Sequence, residues 1–223
     1  MQTVNRSMKI TDLKPRIIAI YAGRFQPFHH GHAEVFSELA RKFGIANTYI
    51  ATSGKVEPNK SPFTFNDKVQ MMTAAGVPAG HVVEETVPYA PQNLPSKLGL
   101  DPSRDILVFG VGEKDMQSDP RFAFTPLKDG SPAYFQRYTG KNMMPFSNAK
   151  TATGQRAGHG YIYPVPDVEF IIAGQPINSA SEIRDMYRAA DVEGRLQILS
   201  ELYPNGGAAV KMIKRIFDGK LGQ

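Results

Sequence analysis

The sequence predicts an α/β protein built on a doubly wound parallel sheet, with C-terminal helices and one long insertion. The runs RIIAIYA and DILVFGVG are continuously apolar rather than alternating, as in strands covered on both faces. Stretches with apolar residues at three- and four-residue spacing lie between such runs, and that period belongs to helices. The first run ends at a glycine that leads through a short loop into a helical stretch. Strand, loop and helix in that order are the unit of a parallel sheet.

Residues 1 to 15 read as a polar leader ending at Pro15, and RIIAIYAG follows as the first strand. HAEVFSELARKFG then sets Ala33, Val35, Phe36, Leu39, Ala40 and Phe43 at helical spacing, with Gly44 as the stop. TYIATS gives a second strand, and TFNDKVQMMTAAG a second helix with Val69, Met72 and Ala75 on one face. HVVEETV, DILVFGVG and VEFIIAG are further strands. From Glu113 to Pro166 the rhythm breaks into Gly, Pro, Asn, Ser and Tyr with little periodicity. This stretch, about 113–166, reads as an insertion over the ligand edge of the sheet. SASEIRDMYRAA, VEGRLQILSELY and GAAVKMIKRIFDG are helical again. The expected division is one main domain over 16–190 and a C-terminal helical extension over 191–223.

The chain has 223 residues, 41% hydrophobic and 21% charged, values ordinary for a globular protein and far from disordered or fibrous extremes. It contains no cysteine, which excludes disulfides, Cys-ligated zinc and thiol nucleophiles. The apolar runs are too short to cross a bilayer, and the N-terminus lacks a hydrophobic signal core, so the expected location is cytoplasmic with no membrane partner. The net charge of +5 is dispersed, with no basic run of five or more. That argues against extended nucleic acid, and a polyphosphate ligand accounts for a mild basic excess.

Residues 23 to 32, GRFQPFHHGH, join the first strand to its helix at the carboxyl edge of the sheet, where open α/β folds bind ligands. His29 and His32 are three apart across the helix start, so both imidazoles can face one point where the free amides of the helix also aim. Gly31 leaves room against the backbone, Gly23 lets the chain turn, and Arg24 adds a fork suited to phosphate oxygens. This string resembles the HxGH signature of the nucleotidyltransferase superfamily, in the form found in archaeal-type nicotinamide-mononucleotide adenylyltransferases. SASEIR at 179 to 184 is similar to the family's SxTxxR signature. There Ser179 can cap a helix with Glu182 three residues on, leaving the amides near Ala180 and Ser181 for phosphate oxygens. NKSPFTFNDKVQMM also resembles these enzymes. Lys68, a cation in the first turns of a helix, is electrostatically misplaced unless an anion is near, and Lys60 is a weaker phosphate candidate.

The resemblance implies a Rossmann-like nucleotidyltransferase fold that transfers AMP from ATP to nicotinamide mononucleotide, giving NAD and pyrophosphate. It implies that His29, His32 and Arg184 are catalytic. Gly23, Arg24, Phe25, Gly31, Lys68, Gly110, Gly112, Ser179, Ala180 and Ser181 would bind the nucleotide, and Mg²⁺ would come with ATP, held mostly by phosphates and waters. The partners implied are ATP and a small phosphate-bearing acceptor, and family members are often homo-oligomers. The chain departs from the pattern in having no tryptophan to stack nicotinamide. Tyr89, Tyr134 or Phe135 could stack instead, and the acceptor stays open.

FGVGEKD is no dinucleotide fingerprint, because no third glycine opens a helix. Gly110 and Gly112 there either give room to the nucleoside or serve a turn. His81 and His159 stand isolated and read as structural or solvated rather than as ligands. Glu84 and Glu85 point to opposite faces of a strand and form no acid/base couple. Two readings compete with adenylyl transfer. One is a cytidylyltransferase using CTP, although Gln26 stands where that branch usually carries Asp. The other is a non-catalytic nucleotide-binding or assembly subunit, similar to divergent phage-type members. A class I aminoacyl-tRNA synthetase is set aside, since its lysine-rich second signature is missing.

Overall fold

A computed structural model of the chain describes residues 15–89, 93–126, 128, 130, 133–145, 160–167, 170–177 and 179–222. Among these residues the main sheet consists of Arg16–Gly23 (β1), Thr48–Thr52 (β2), Val82–Glu84 (β3), Asp105–Gly112 (β4), Phe135–Arg137 (β5) and Gly160–Val165 (β6). All pairings are parallel and the order is β3-β2-β1-β4-β6-β5. The chain winds outward from β1 through β2 to β3, then crosses back to β4 and winds the other way. The doubly wound fold expected from the apolar runs is the fold observed. The winding of the chain across the sheet reverses between the parallel neighbours β1 and β4, and a crevice opens at their carboxyl ends.

Alternation along the strands feeds a main core on each face of the sheet, with two smaller clusters around Val35, Leu39 and Val165 and around Ile106, Val108 and Tyr161. Ile18, Ile20 and Ala22 of β1 join Leu107, Phe109 and Val111 of β4 on one face, under Leu94, Leu100 and Phe122. The other face is covered by His30–Phe43 (α1), whose Ala33 and Phe36 pack with Ile50, and by Phe65–Ala74 (α2) through Met71 and Met72. Short helices Leu94–Lys97 (α3) and Glu113–Ser118 (α4) flank β4. Ala180–Ala189 (α5), Val192–Leu202 (α6) and Ala209–Leu221 (α7) complete the second core. Leu199, Leu202, Ile213 and Phe217 of α6 and α7 belong to the same cluster as Phe28 and Phe63. Helices α6 and α7 are therefore packed into the same core as α1, α2 and α5. Each such side chain contributes roughly 1.5–3 kcal/mol by leaving water.

Two expectations need correction. The 113–166 stretch is not wholly an insertion, because it supplies β5 and the inner strand β6, paired from Val108↔Tyr161 to Gly112↔Val165. Gly160 and Pro164 punctuate β6 and hid it. A Cβ on Gly160 would lie 2.7 Å from the Phe109 ring, so glycine is what lets Phe109 pack there. VEFIIAG, read as a strand of the sheet, instead gives Phe170–Ile172 (β7), an antiparallel hairpin with Gln175–Ile177 (β8). Its turn residues Ala173 and Gly174 have φ of 50° and 75°, the positive values a two-residue hairpin requires. No helix among the described residues is long and apolar enough to cross a membrane.

Candidate active site

A cavity of about 690 Å³ opens at the carboxyl ends of β1, β4 and β6, beneath the N-termini of α1 and α5. Gly23, Arg24, Phe25, His29, Gly31 and His32 line it from the first loop. Gly110 and Gly112 line it from β4, and Ser179 and Ala180 from α5. Lys68, Ser181 and Arg184 are not on its wall.

His29 caps α1 with extended backbone, φ −148° and ψ 176°, and its ring centroid lies 3.8 Å from that of His32. The His29 backbone N–H donates to Nδ1 of His32 at 3.3 Å. That bond makes Nδ1 the acceptor, so the neutral ring carries its proton on Nε2. Burial pushes His32 down to about 3, and the nearby His30 adds to the effect. Burial likewise drives His29 well below the usual imidazole range, with His32 and His30 opposing a further charge. Both rings are therefore neutral near pH 7. A helix N-terminus already presents partial positive charge, and neutral imidazoles can donate hydrogen bonds there without repulsion.

Phe25 holds His32 from the side, its ring edge-on at 5.0 Å and 82°. Its φ of 49° is costly for a residue with a side chain, a strain that ligand-binding loops often carry. Gly23 makes room for it, since a Cβ there would come within 2.7 Å of the Phe25 ring. Gln26, which the sequence raised only in weighing CTP, is buried. Its amide donates to the Phe63 carbonyl and accepts from the Phe63 N–H, both at 3.0 Å.

Ser179 caps α5 as the motif suggested. Its Oγ accepts from the Glu182 N–H at 3.3 Å, donates to Glu182 Oε1 at 3.0 Å and lies 3.0 Å from Ser181 Oγ. Arg184 differs from expectation. It is buried, and its Nη1 donates to the Gln26 carbonyl at 2.6 Å and the Ala180 carbonyl at 3.1 Å, while Nη2 reaches the Asn59 carbonyl at 3.3 Å. The guanidinium ties α5 to the histidine loop instead of facing the cavity. Lys68 departs in the same way. Its ammonium donates to Thr52 Oγ1 at 2.8 Å, to the Arg24 carbonyl at 3.2 Å and to the Ser53 carbonyl. Three oxygens use all three of its protons, so they relieve its conflict with the α2 dipole where a phosphate was expected. Burial lowers Lys68 to about 8 against the opposing pull of Glu84.

Of the aromatic candidates, Tyr89 lines the cavity, with its hydroxyl donating to the Ala22 carbonyl at 2.9 Å. Tyr134 is exposed and Phe135 is packed between Phe109 and Phe122, so neither reaches the wall. Phe122, missed in the sequence, faces the cavity 5.2 Å from Tyr89. Gly110 has a packing reason, because a Cβ would meet Leu39 at 2.6 Å, and at Gly112 it would meet Asp167 at 2.8 Å. Asp115, Asp119 and Asp167 also line the cavity and were not anticipated. Lys60 is exposed and off the wall. His81 bonds the Thr48 carbonyl at 2.9 Å and stacks on Tyr49. His159 lies outside the described residues. Glu84 is exposed, while Glu85 is buried beside Lys97 at 3.1 Å. Among the described residues no three His, Asp or Glu side chains are grouped so as to hold a metal ion.

Fold and loop together define a doubly wound α/β protein with paired histidines at its switch point. Residues 20–120 match the family model described as cytidylyltransferase-like. Curated relatives point the same way as the motifs. The chain is 39% identical over 62 residues to a nicotinamide-nucleotide adenylyltransferase of Methanolobus tindarius, covering 28% of this chain and 36% of that one. It is 36% identical over 55 residues to a protein of the same name from Halorubrum lacusprofundi, covering 25% and 31%. The chain thus spans about a third of the length of these curated relatives. A solved structure of Plasmodium falciparum nicotinic acid mononucleotide adenylyltransferase complexed with NaAD aligns with TM-score 0.49 and 13% identity, covering 90% of this chain and 97% of that one.

Proposed function

We propose that the protein is a nucleotidyltransferase that transfers AMP from ATP to a phosphate-monoester acceptor, with nicotinamide mononucleotide as the acceptor and NAD and pyrophosphate as products. The observation that carries this reading is the neutral His29–His32 pair at the N-terminus of α1, on the wall of a cavity at the switch point. An acceptor phosphate oxygen, already anionic at neutral pH, attacks the α-phosphorus in line. The bond from that phosphorus to the bridging oxygen breaks, and pyrophosphate leaves with the electron pair. No general base is needed. The protein supplies alignment and hydrogen-bond donors where charge grows. His32 Nε2–H and the free amides of α1 suit the α-phosphate, Arg24 and the α5 amides at Ser179–Ala180 suit the β and γ phosphates, and Tyr89 with Phe122 offers the acceptor ring an aromatic wall. A Mg²⁺ brought in with ATP would offset phosphate charge and would be held chiefly by phosphate oxygens and water, with Asp115, Asp119 and Asp167 the carboxylates on the cavity wall that could reach its waters.

The test is to incubate the protein with ATP, Mg²⁺ and nicotinamide mononucleotide and to assay NAD by mass spectrometry beside pyrophosphate release. NAD in step with pyrophosphate supports the reading, and neither product removes it. The burial of Arg184 and Lys68 against carbonyls favours one second reading, a nucleotide-binding subunit without transfer activity. ATP binding by calorimetry without transfer to any phosphomonoester would select it.

A further inference from the structure

We infer that Tyr203, which touches none of the cavity, is a positioning residue that fixes the ring and tautomer of His32 through a single shared peptide group. At the end of β1 the backbone leaves the sheet and runs through Phe25, Gln26, Pro27 and Phe28, which are buried, and carbonyls there need donors. Side chains from four distant places supply them at every second residue. Tyr89 Oη donates to the Ala22 carbonyl at 2.9 Å, Lys68 Nζ to Arg24 at 3.2 Å, Arg184 Nη1 to Gln26 at 2.6 Å and Tyr203 Oη to Phe28 at 2.5 Å. The last contact differs from the rest in what it controls. The Phe28 carbonyl and the His29 N–H belong to one peptide plane. That same N–H donates to His32 Nδ1. Tyr203 thus holds one edge of the plane and His32 the other, and tilting the plane would weaken the bond that keeps the His32 proton on Nε2.

Tyr203 is 1% exposed and follows α6, 175 residues beyond Phe28, in the part of the chain that carries no motif. Burial raises its hydroxyl well above the usual range, so it remains a donor throughout the working pH. The resemblance to HxGH proteins assigns nothing to this position. Its kinetic consequence rests on the proposed adenylyl transfer, while its effect on His32 is independent of any substrate.

The experiment is Tyr203→Phe, which removes one oxygen and keeps the ring, beside Tyr187→Phe as a control. Tyr187 sits in the same core and donates to Asp218 at 2.8 Å, away from the loop. The ¹⁵N shifts of the His32 imidazole are read by NMR without ligand. The expected result is a single Nε2–H tautomer in the wild type and in Y187F, and a shift toward a mixed tautomer in Y203F. With ATP and nicotinamide mononucleotide, Y203F should also lose roughly tenfold in kcat while KM for ATP holds, the size expected for loosening one transition-state donor. Unchanged His32 signals in Y203F, or equal changes in both variants, overturn the proposal. Changed signals without any transfer activity in the wild type would leave Tyr203 as positioning residue and remove only the reaction. Should Y203F not fold, 3-fluorotyrosine placed at 203 strengthens the donor with little change in packing, and a His32 spectrum blind to it also overturns the proposal.

Discussion

At the scale of single residues, what distinguishes this loop is that its two imidazoles are held neutral by burial and by the neighbouring imidazoles. The neutral His32 ring, accepting at Nδ1, keeps one N–H donor, at Nε2, for an anion. His32→Ala should therefore lower turnover by about a hundredfold or more, as removal of one preorganised donor does elsewhere. Rates of pyrophosphate release measure it, and a rate near the wild type would contradict the role. The same shift affects stability. An imidazole whose folded value lies below its unfolded value binds fewer protons in the native state. Its contribution is complete above about pH 6.5 and is lost as pH falls from there toward about 3 for His32. The loss reaches at most about 1.4 kcal/mol per pH unit for each histidine. Urea midpoints at pH 7 and pH 5 should fall less in His32→Gln than in the wild type, and equal falls would count against the burial of this charge.

At the scale of elements, helices α2 and α5 act on the loop through buried cations that grip its carbonyls. Arg184→Ala leaves the Gln26 and Asn59 carbonyls without that donor, at a cost of about 2–4 kcal/mol that urea unfolding would register. Full stability with weakened ATP binding would instead favour the phosphate grip that the motif suggested. Gly110→Ala drives a methyl toward Leu39 and should cost about 1–3 kcal/mol, with Leu39→Val recovering part of it. These contacts explain what could be read from the sequence and what could not. Ser179 and the pair His29–His32 act through neighbours three residues away, and such spacing is visible in a string. Lys68 and Arg184 act on carbonyls 44 and 158 residues distant, and no local pattern reports where a long side chain finds its acceptor. The strand β6 was hidden for a related reason, because Gly160 and Pro164 look like loop residues until β4 is placed beside them. Asp167 became a wall residue only once the end of β6 was known.

At the scale of the whole molecule, the site depends on parts that the motifs do not mention. Helices α6 and α7 cover the same core as Phe28 and Phe63, directly behind the histidine loop. Deleting 191–223 would strip this cluster of Leu199, Leu202, Ile213 and Phe217, and the remainder should lose its cooperative thermal transition by circular dichroism. A truncated chain that still melts cooperatively near the wild-type temperature would show the extension to be dispensable. The cavity itself arises from topology, since the reversal between β1 and β4 leaves a crevice into which α1 and α5 point their free amides. The proposed adenylyl transfer requires that crevice to direct an acceptor phosphate onto the α-phosphorus of ATP. Mass spectrometry of the products from ATP, Mg²⁺ and nicotinamide mononucleotide, run on the wild type and on His32→Ala, tests this most directly. The expected result is NAD and pyrophosphate in equal amounts from the wild type, with both falling together by about a hundredfold or more in the variant. Absence of any adenylylated product from the wild type, or undiminished NAD from the variant, would contradict it.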